Sequence, residues 1–299
     1  MEFIKRNINI DFLEKRKTAF YFSMILIIIS FVSLVFHGGP KLGLDFRGGT
    51  QINLHFDTPE SAADIRNALS IIDLGTSEIK EIGSENDILI TVEQSTGIAD
   101  TTVYILREAF PDNNIIINES DEVGSRIGSE LKNKSIISVI LALFFLIIYI
   151  SWRFEFKFAI GAITALVHDV LITIGVFSVM DKEITLPIVA ALLTIVGYSL
   201  NDTIVVSDRI RENIKVLRKE KYPFIINRSL NQTLSRTIIT SFTTLLVVII
   251  LYLFGSEIIK DFALALIIGV SIGTYSSLFV ATPIVVLYHD WQEEKKKIK

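Results

Sequence analysis

The sequence predicts a polytopic α-helical membrane protein with six transmembrane helices and one α+β domain between the first two helices. Half of the 299 residues are hydrophobic, and the mean hydropathy is +0.50. The apolar residues are gathered into runs long enough to cross a hydrocarbon layer of about 30 Å at about 1.5 Å per helical residue. One polar stretch, residues 38–133, separates the first run from the others and shows shorter periods.

The first apolar run follows a basic segment. Residues 1–18 carry five Lys or Arg and form the predicted cytoplasmic N-terminus, and residues 19–37 form predicted helix 1. A basic segment before an apolar run also resembles a signal peptide. The run is too long for a typical signal core, and the sequence HGGP after it is not a small-x-small cleavage site. We therefore expect an uncleaved membrane span.

The polar stretch, residues 38–133, predicts a folded domain. Residues Gln51–Phe56 alternate polar and apolar side chains, which indicates a half-buried strand. Thr58 is a predicted N-cap, with Pro59 at the first helical position. The predicted order is strand 51–56, helix 58–69, strand 77–82, turn 83–86, strand 87–92, helix 97–110 and strand 115–118. This β-α-β-β-α-β order is typical of the split βαβ, ferredoxin-like arrangement.

The apolar runs resume at residue 134 and end near residue 288. Basic residues favour the cytoplasmic side of membrane proteins. The N-terminus carries five, the loop before the fifth span eight and the tail four, against one in each short loop after the third and fifth spans. We therefore expect both termini in the cytoplasm and residues 38–133 outside it. The predicted spans are about 135–151, 158–180, 185–206, 237–254 and 262–288, with a basic cytosolic loop 207–236 and a cytoplasmic tail 289–299.

Composition excludes several classes of function. The chain has no cysteine, so disulfides, thiol catalysis and cysteine metal sites are excluded, and four scattered histidines argue against a histidine metal site. The net charge is −4 and no basic domain stands out, so nucleic acid is not an expected partner. Within the basic loop, residues 209–228 fit an amphipathic helix on the inner membrane surface. A solvated positive anchor is the plainer interpretation, and a contact with a partner protein is the alternative.

Asp202 is the first candidate functional residue, because it lies within a predicted span. An ionised carboxylate in hydrocarbon is costly, so a chain that keeps one there uses it or pairs it. It is either a proton carrier or a carboxylate that reaches the interface. Arg236 opens the fifth span at a similar depth and is its candidate partner, with an ordinary flanking arginine as the alternative.

Other polar and small residues of the spans are candidates for the same machinery. His168 and Asp169 lie near the middle of the third span, either as part of a proton relay or as a structural hydrogen bond between helices. Asn201 is a candidate relay member or helix–helix hydrogen bond. Small residues permit close helix contact, and the candidates for such packing are Gly197, Gly269 and Gly273.

Two stretches carry a resemblance to a known family. Gly43–Thr50, GLDFRGGT, resembles the signature loop of the SecD/SecF family, with Gly43, Asp45, Gly48 and Gly49 as its marker residues. It lacks the spacing of a phosphate loop and opens no helix, and Gly48-Gly49 predicts a bulge or turn into the first strand. Val196–Asn213 resembles the fourth-span signature of the SecF branch, although Ser207 stands where that branch has Phe. Val167–Asp169 and Leu230–Thr237 also fit that pattern.

The resemblance implies a function in protein export, within the resistance-nodulation-division superfamily. Such proteins work in the bacterial cytoplasmic membrane with SecD, beside the SecYEG channel and often with YajC. They are thought to pull or retain unfolded polypeptide on the outer side by using the proton-motive force. Protons would then be the coupling ion, with no cofactor, no metal and no hydrolytic chemistry, and membrane lipid would surround the spans.

Three alternatives remain open from the residues. A proton-coupled lipid or small-molecule transporter would use the same fold, although such pumps normally have twelve spans in one chain. An intramembrane aspartyl protease would need Asp169 and Asp202 to share a proton. A structural scaffold would tolerate substitution of every polar residue in the spans.

Overall fold

A computed structural model describes residues 9–93 and 97–298. The chain divides into two compact units, one formed by Leu42–Ser138 and the other by Met1–Lys41 together with Val139–Lys299. The helices are α1 Arg16–Phe36, α2 Leu44–Arg47, α3 Ala62–Leu69, α4 Ile98–Ala109, α5 Ser125–Arg153, α6 Phe156–Val179, α7 Leu186–Val216, α8 Tyr222–Phe254, α9 Glu257–Ser276 and α10 Thr282–Ile298. The strands are β1 Gly49–Phe56, β2 Glu78–Ile82, β3 Ser84–Val92 and β4 Ile115–Val123.

The predicted membrane spans are confirmed as long apolar helices. Six helical stretches of the described residues are long and apolar enough to cross a membrane. The last of them runs from Ile259 to Lys297 and combines α9, a π-helical turn at Ser277–Ala281 and α10. We call this continuous stretch the sixth span. The π turn lies where α6 approaches closely, because a Cβ on Gly161 would lie 2.7 Å from the Ala281 carbonyl oxygen.

The α+β unit has the predicted β-α-β-β-α-β order. Its four strands form an antiparallel sheet in the order β2-β3-β1-β4, with α3 and α4 packed on one face. The period of two along β1 places alternate apolar side chains in the core. The side chains that fill this core without exposure include Ile52, Leu54, Phe56, Ile65, Leu69, Ile88, Ile90 and Leu106.

The predicted start of the first helix in this unit is wrong. The N-cap is Ser61, whose Oγ accepts a hydrogen bond from the Asp64 amide at 3.1 Å, rather than Thr58. Asn113 holds Thr58 in the preceding segment, because it accepts from the Thr58 amide at 3.1 Å and donates to the Thr58 carbonyl at 2.8 Å. Thr58 therefore joins two loops instead of starting the helix.

The strands of this unit are longer than the sequence predicts. Ser84 already pairs with Ile82 across the β2–β3 hairpin, so the predicted four-residue turn 83–86 is reduced to the bend at Gly83, whose φ is +74°. The last strand continues to Val123 rather than ending at residue 118. Pairing with β1 along its whole length supports this extension.

The signature loop turns sharply into β1. Gly48 and Gly49 have φ values of +78° and +127°, which L side chains rarely adopt, so the predicted turn is confirmed. Gly43 precedes the one-turn helix α2, which contains Asp45 in its first turn. The run contains this short helix but leads into β1 rather than into a helix, as expected. Arg47 reaches Glu78 of β2, with 3.9 Å between Nη2 and Oε2.

The prediction that residues 207–236 form a loop with a separate surface helix is wrong. α7 continues to Val216 and α8 begins at Tyr222, so both spans extend as one helical hairpin. The reason is that buried apolar residues recur at helical spacing through this region, at Val206, Ile210, Ile226, Leu230 and Leu234. Asn213 also ties the two helices together, donating to Ser229 Oγ and to Gln232 Oε1 at 2.8 Å each.

The segment before α1 is bound to α8. Asn231 accepts from the Ile10 amide and donates to the Ile10 carbonyl, at 2.8 Å in both cases. Asn227, one turn earlier, accepts from the Phe12 amide at 2.9 Å. The Phe12 side chain is buried, with its ring 5.5 Å from the Phe279 ring in the π turn. The N-terminal segment thus belongs to the packed core of the helical unit.

Candidate functional site

Asp169 of α6 lies at the centre of a buried polar cluster. Its Oδ2 accepts hydrogen bonds from Ser199 Oγ of α7 at 2.6 Å and from Ser276 Oγ of α9 at 2.7 Å. Its Oδ1 lies 2.9 Å from Nδ1 of His168. All four side chains are at most 4% exposed. A carboxylate in this position has a partner at each oxygen, which is what burial of a polar group requires.

His168 extends the cluster to α1. Its Nε2 lies 3.0 Å from Ser23 Oγ, which in turn lies 3.1 Å from the Tyr275 hydroxyl. The Tyr275 hydroxyl donates to the Ala19 carbonyl at 2.7 Å, and the rings of Tyr275 and His168 are 6.2 Å apart. A continuous chain of hydrogen bonds therefore joins α1, α6, α7 and the sixth span.

Small residues let the helices approach closely around this cluster. A Cβ on Gly273 would lie 3.2 Å from Ser199 Cβ and 3.5 Å from Asp169 Oδ2, so this glycine lies directly against the carboxylate. A Cβ on Gly269, one turn earlier, would overlap the Ile195 side chain. Gly269 and Gly273 thus both lie in the α7–α9 contact.

Asp202 is buried but lies outside the hydrogen-bond network of Asp169. It follows Ser199 by about one helical turn and is 3% exposed. Its Oδ2 has no hydrogen-bond partner among the described residues. Arg236 of α8 lies close enough to act on Asp202 electrostatically, although the described residues include no ion pair between them. Arg236 is itself exposed in the isolated chain.

Two predicted site residues lie away from this cluster. Asn201 is on the exposed face of α7 and makes no side-chain hydrogen bond within the described part of the chain, so the predicted bond between helices of this chain is wrong. Gly197 is on the same face, and an added Cβ there would meet no described atom within 4 Å. Its predicted packing role is therefore wrong within this chain. Both residues point away from the other helices because α9 packs on the opposite face of α7, at Ile195 and Ser199.

The sequence reasoning missed most of the partners of Asp169 and His168. The missing residues are Ser23, Ser199, Ser276 and Tyr275. Hydroxyls are frequent in membrane spans and bond to their own backbone, as Thr173 does to the Asp169 carbonyl at 2.8 Å. The sequence feature that could have indicated one of these partners is the position of Ser199, one turn before Asp202 in the fourth-span signature.

The open face of the sheet in the α+β unit carries a second polar cluster. Asp87 Oδ1 lies 2.7 Å from His55 Nδ1, and Ser84 Oγ donates to Asp87 Oδ2 at 2.6 Å. These bonds from Ser84 and His55 hold the pKa of Asp87 below its usual value. Among the described residues, no group of three or more His, Cys, Asp or Glu side chains is placed to hold a metal ion.

The fold and this geometry together define a class of protein. It is a polytopic membrane protein with a soluble α+β domain and with carboxylate and imidazole groups buried among its spans. A family model described as "Protein export membrane protein SecD/SecF, C-terminal" matches residues 104–291, and one described as "SecD/SecF GG Motif" matches residues 33–60. The chain belongs to the SecD/SecF family.

Relatives and solved structures agree with this assignment. The chain is 45% identical over 294 residues to the protein translocase subunit SecF of Calditerrivibrio nitroreducens, covering 96% of both chains. It is 46% identical to the SecF subunit of Rhodothermus marinus, covering 95% of this chain and 94% of that one. The crystal structure of SecDF from Thermus thermophilus, a translocon-associated membrane protein, matches with a TM-score of 0.86 and 34% identity over 96% of this chain. The chain spans 40% of the length of that SecDF chain.

Proposed function

We propose that this chain acts as the SecF-type subunit of a protein translocase and uses a proton gradient to promote polypeptide export. Relatives that match over nearly the full length carry the name of that subunit. The observation that supports the coupling is Asp202, whose carboxyl group is buried in a membrane span and has one oxygen without a hydrogen-bond partner in the described part of the chain.

Asp202 and Arg236 form the proposed switch. Burial disfavours an ionised carboxylate, whereas a nearby guanidinium favours it. Arg236 lies on another helix, so a shift of α8 relative to α7 changes the affinity of Asp202 for a proton. Linkage is reciprocal, so binding of a proton favours one helix arrangement over the other. The size of this preference equals the difference in proton-binding free energy between the two arrangements. Asp169 and His168 are a second proposed proton-carrying group, and Ser199, which donates to Asp169, lies about one helical turn before Asp202 on α7.

The exposed face of α7 is the proposed contact with a SecD-type partner. Ala190, Thr194, Gly197 and Asn201 recur along this face, which is small or polar although it lies in a membrane span. Small and polar residues are typical of helix contacts in membranes rather than of lipid-facing surfaces. The matched SecDF chain is longer than this one, because this chain covers only 40% of it, so that protein contains a further part that this chain does not match.

The proposed location is the bacterial cytoplasmic membrane, with both termini in the cytoplasm. The distribution of basic residues supports this orientation. The α+β unit would then lie on the outer side, where it could contact SecD or an emerging polypeptide. Its edge strand β4 is exposed over most of its length, which suits pairing with an extended chain. The SecYEG channel and YajC are further proposed partners.

A hydrolytic function has less support from the site. An aspartyl protease needs two carboxyl groups that share a proton. Asp169 bonds instead to His168, Ser199 and Ser276, and none of its hydrogen bonds goes to Asp202. We therefore propose that the chain is not an enzyme and needs no cofactor other than the coupling protons.

Export into inverted membrane vesicles tests this function. Vesicles containing Asp202→Asn with its partner subunit should translocate a precursor with ATP alone but lose the extra yield that a proton gradient gives wild type. The amide keeps the shape of the side chain and removes its proton exchange. Asp208→Asn is the matched control, because Asp208 lies on the same helix and forms ion pairs with Arg153 and Arg211. Full gradient stimulation of the Asp202 variant would refute the proposal.

A further inference from the structure

The chain of hydrogen bonds from Ala19 to His168 has a defined direction. A carbonyl oxygen only accepts, so the single hydroxyl hydrogen of Tyr275 lies in its 2.7 Å bond to Ala19. The 3.1 Å bond between Tyr275 and Ser23 must then use the hydrogen of Ser23. Ser23 consequently offers only a lone pair to His168 Nε2 at 3.0 Å. Nε2 of His168 therefore carries a hydrogen.

This direction decides what lies between His168 and Asp169. Nδ1 and Oδ1 are 2.9 Å apart, and two lone pairs at that distance would repel each other, so a hydrogen lies between them. With Nε2 also protonated, the pair is either imidazolium with carboxylate or neutral imidazole with carboxylic acid. Both forms are net neutral, and both hold one proton more than a neutral imidazole beside a carboxylate.

We propose that His168 and Asp169 form a proton-binding site of their own, separate from Asp202, and that the bond from Tyr275 to Ala19 keeps it occupied. Its part in export depends on the function proposed above. The packed helices place few other titratable groups beside it. The sixth span contributes Tyr275 and α7 contributes Asp202, whereas α1 faces the pair with Ser23 and exposes Lys17 and Tyr21.

Release of the proton requires the bond between Tyr275 and Ala19 to open. If water replaces the Ala19 carbonyl as acceptor, Tyr275 gives its hydrogen to water and takes the hydrogen of Ser23. Ser23 takes the hydrogen of His168 Nε2 and then donates to that nitrogen. One proton leaves, Nδ1 keeps its hydrogen, and Asp169 remains as a carboxylate. Because Ala19 is on α1 and Tyr275 is on the sixth span, separation of these two helices would control release.

Tyr275→Phe tests the proposal in the full-length chain in lipid nanodiscs. Removing the hydroxyl frees Ser23 to donate to Nε2, so the variant should hold one proton fewer per chain at neutral pH. In wild type, nitrogen NMR of labelled histidine should show hydrogen on Nε2 of His168. In the variant it should show a neutral ring with hydrogen on Nδ1 only, and infrared spectra should show an ionised Asp169. Tyr252→Phe is the matched control, since the Tyr252 hydroxyl makes no hydrogen bond within the described part of the chain.

The wild-type spectrum alone can overturn the proposal. A neutral His168 with hydrogen on Nδ1 only, beside an ionised Asp169, would contradict it, even if the variant did not fold. An unchanged proton count and unchanged His168 signals in a folded Tyr275→Phe variant would also contradict it. Normal export by Asp202→Asn would refute the proposed function without changing this proton count, so the two failures are distinguishable.

Discussion

Asp169 and Asp202, the two buried carboxyl groups among the described residues of the helical unit, have opposite surroundings. Asp169 has a partner at each oxygen, whereas one buried oxygen of Asp202 has no partner among residues 9–93 and 97–298. A partnered group is stabilised in one position, and a buried group without a partner is costly unless another state satisfies it. The difference therefore suits Asp202 to changing between its protonated and ionised forms. Asp169 is suited to holding the helices together for as long as its chain of hydrogen bonds stays closed.

Single residues show what a sequence can and cannot indicate. Asp169, His168, Asp202 and Arg236 were predictable, because charged or titratable side chains stand out in or beside apolar runs. The role of Tyr275 was not, because it depends on which helix packs against the sixth span. Asn201 stood beside Asp202 in the same signature, but adjacent helix positions point about 100° apart, and it lies on the other face.

At Asp87, a pH effect on the α+β unit is expected. Because folding lowers the pKa of Asp87, the charged form of this carboxyl group stabilises the folded state. The stabilisation is fully present at pH values above the unfolded-state pKa of about 4, and it is lost as the pH falls through the lower pKa of the folded state. Asp87→Asn should cost about 1 kcal/mol at neutral pH, a value discounted for partial exposure, and progressively less as the pH falls below the unfolded value of about 4. Hydrogen exchange of β1 and β3 in the full chain measures it. Glu85→Gln, at an exposed position of β3, should change neither value; equal effects of both variants would contradict this role.

The elements were predicted well where one pattern dominates and poorly where two patterns overlap. The order of strands and helices along the α+β unit and the six spans follow from periods of two and from long apolar runs. The predicted loop 207–236 failed because its charges, such as Arg209 and Arg211, lie among buried apolar positions at helical spacing. The polar residues after Val206 indicate where the membrane span ends, but α7 itself continues beyond that point to Val216.

Glycines on opposite faces of the helical unit should respond differently to a bulky substitution. Gly273→Leu should destabilise the purified chain by about 1–3 kcal/mol, because the side chain would enter the contact with Ser199 and Asp169. Gly197→Leu should leave that stability nearly unchanged, since no atom of the described residues lies within 4 Å of a Cβ added at Gly197. It should instead reduce copurification with a SecD-type partner. Unfolding in detergent and affinity copurification measure the two effects; a stable Gly273→Leu variant would show that this contact is loose.

The whole molecule combines a helical unit with buried titratable groups and an α+β unit with an exposed edge strand. Composition and runs of apolar residues were enough to predict both units. They could not show which faces remain uncovered, because that depends on how the helices pack. The exposed face of α7 is the contact proposed above for a partner subunit.

The central claim is that Asp202 gains and loses a proton as the assembled complex changes state. Infrared difference spectra of the SecDF-type complex, with and without a trapped translocating polypeptide, measure this directly when the Asp202→Asn spectrum is subtracted. We expect a carboxylic acid band of Asp202 in one state and its loss in the other. An ionised Asp202 with the same spectrum in every state would contradict the account.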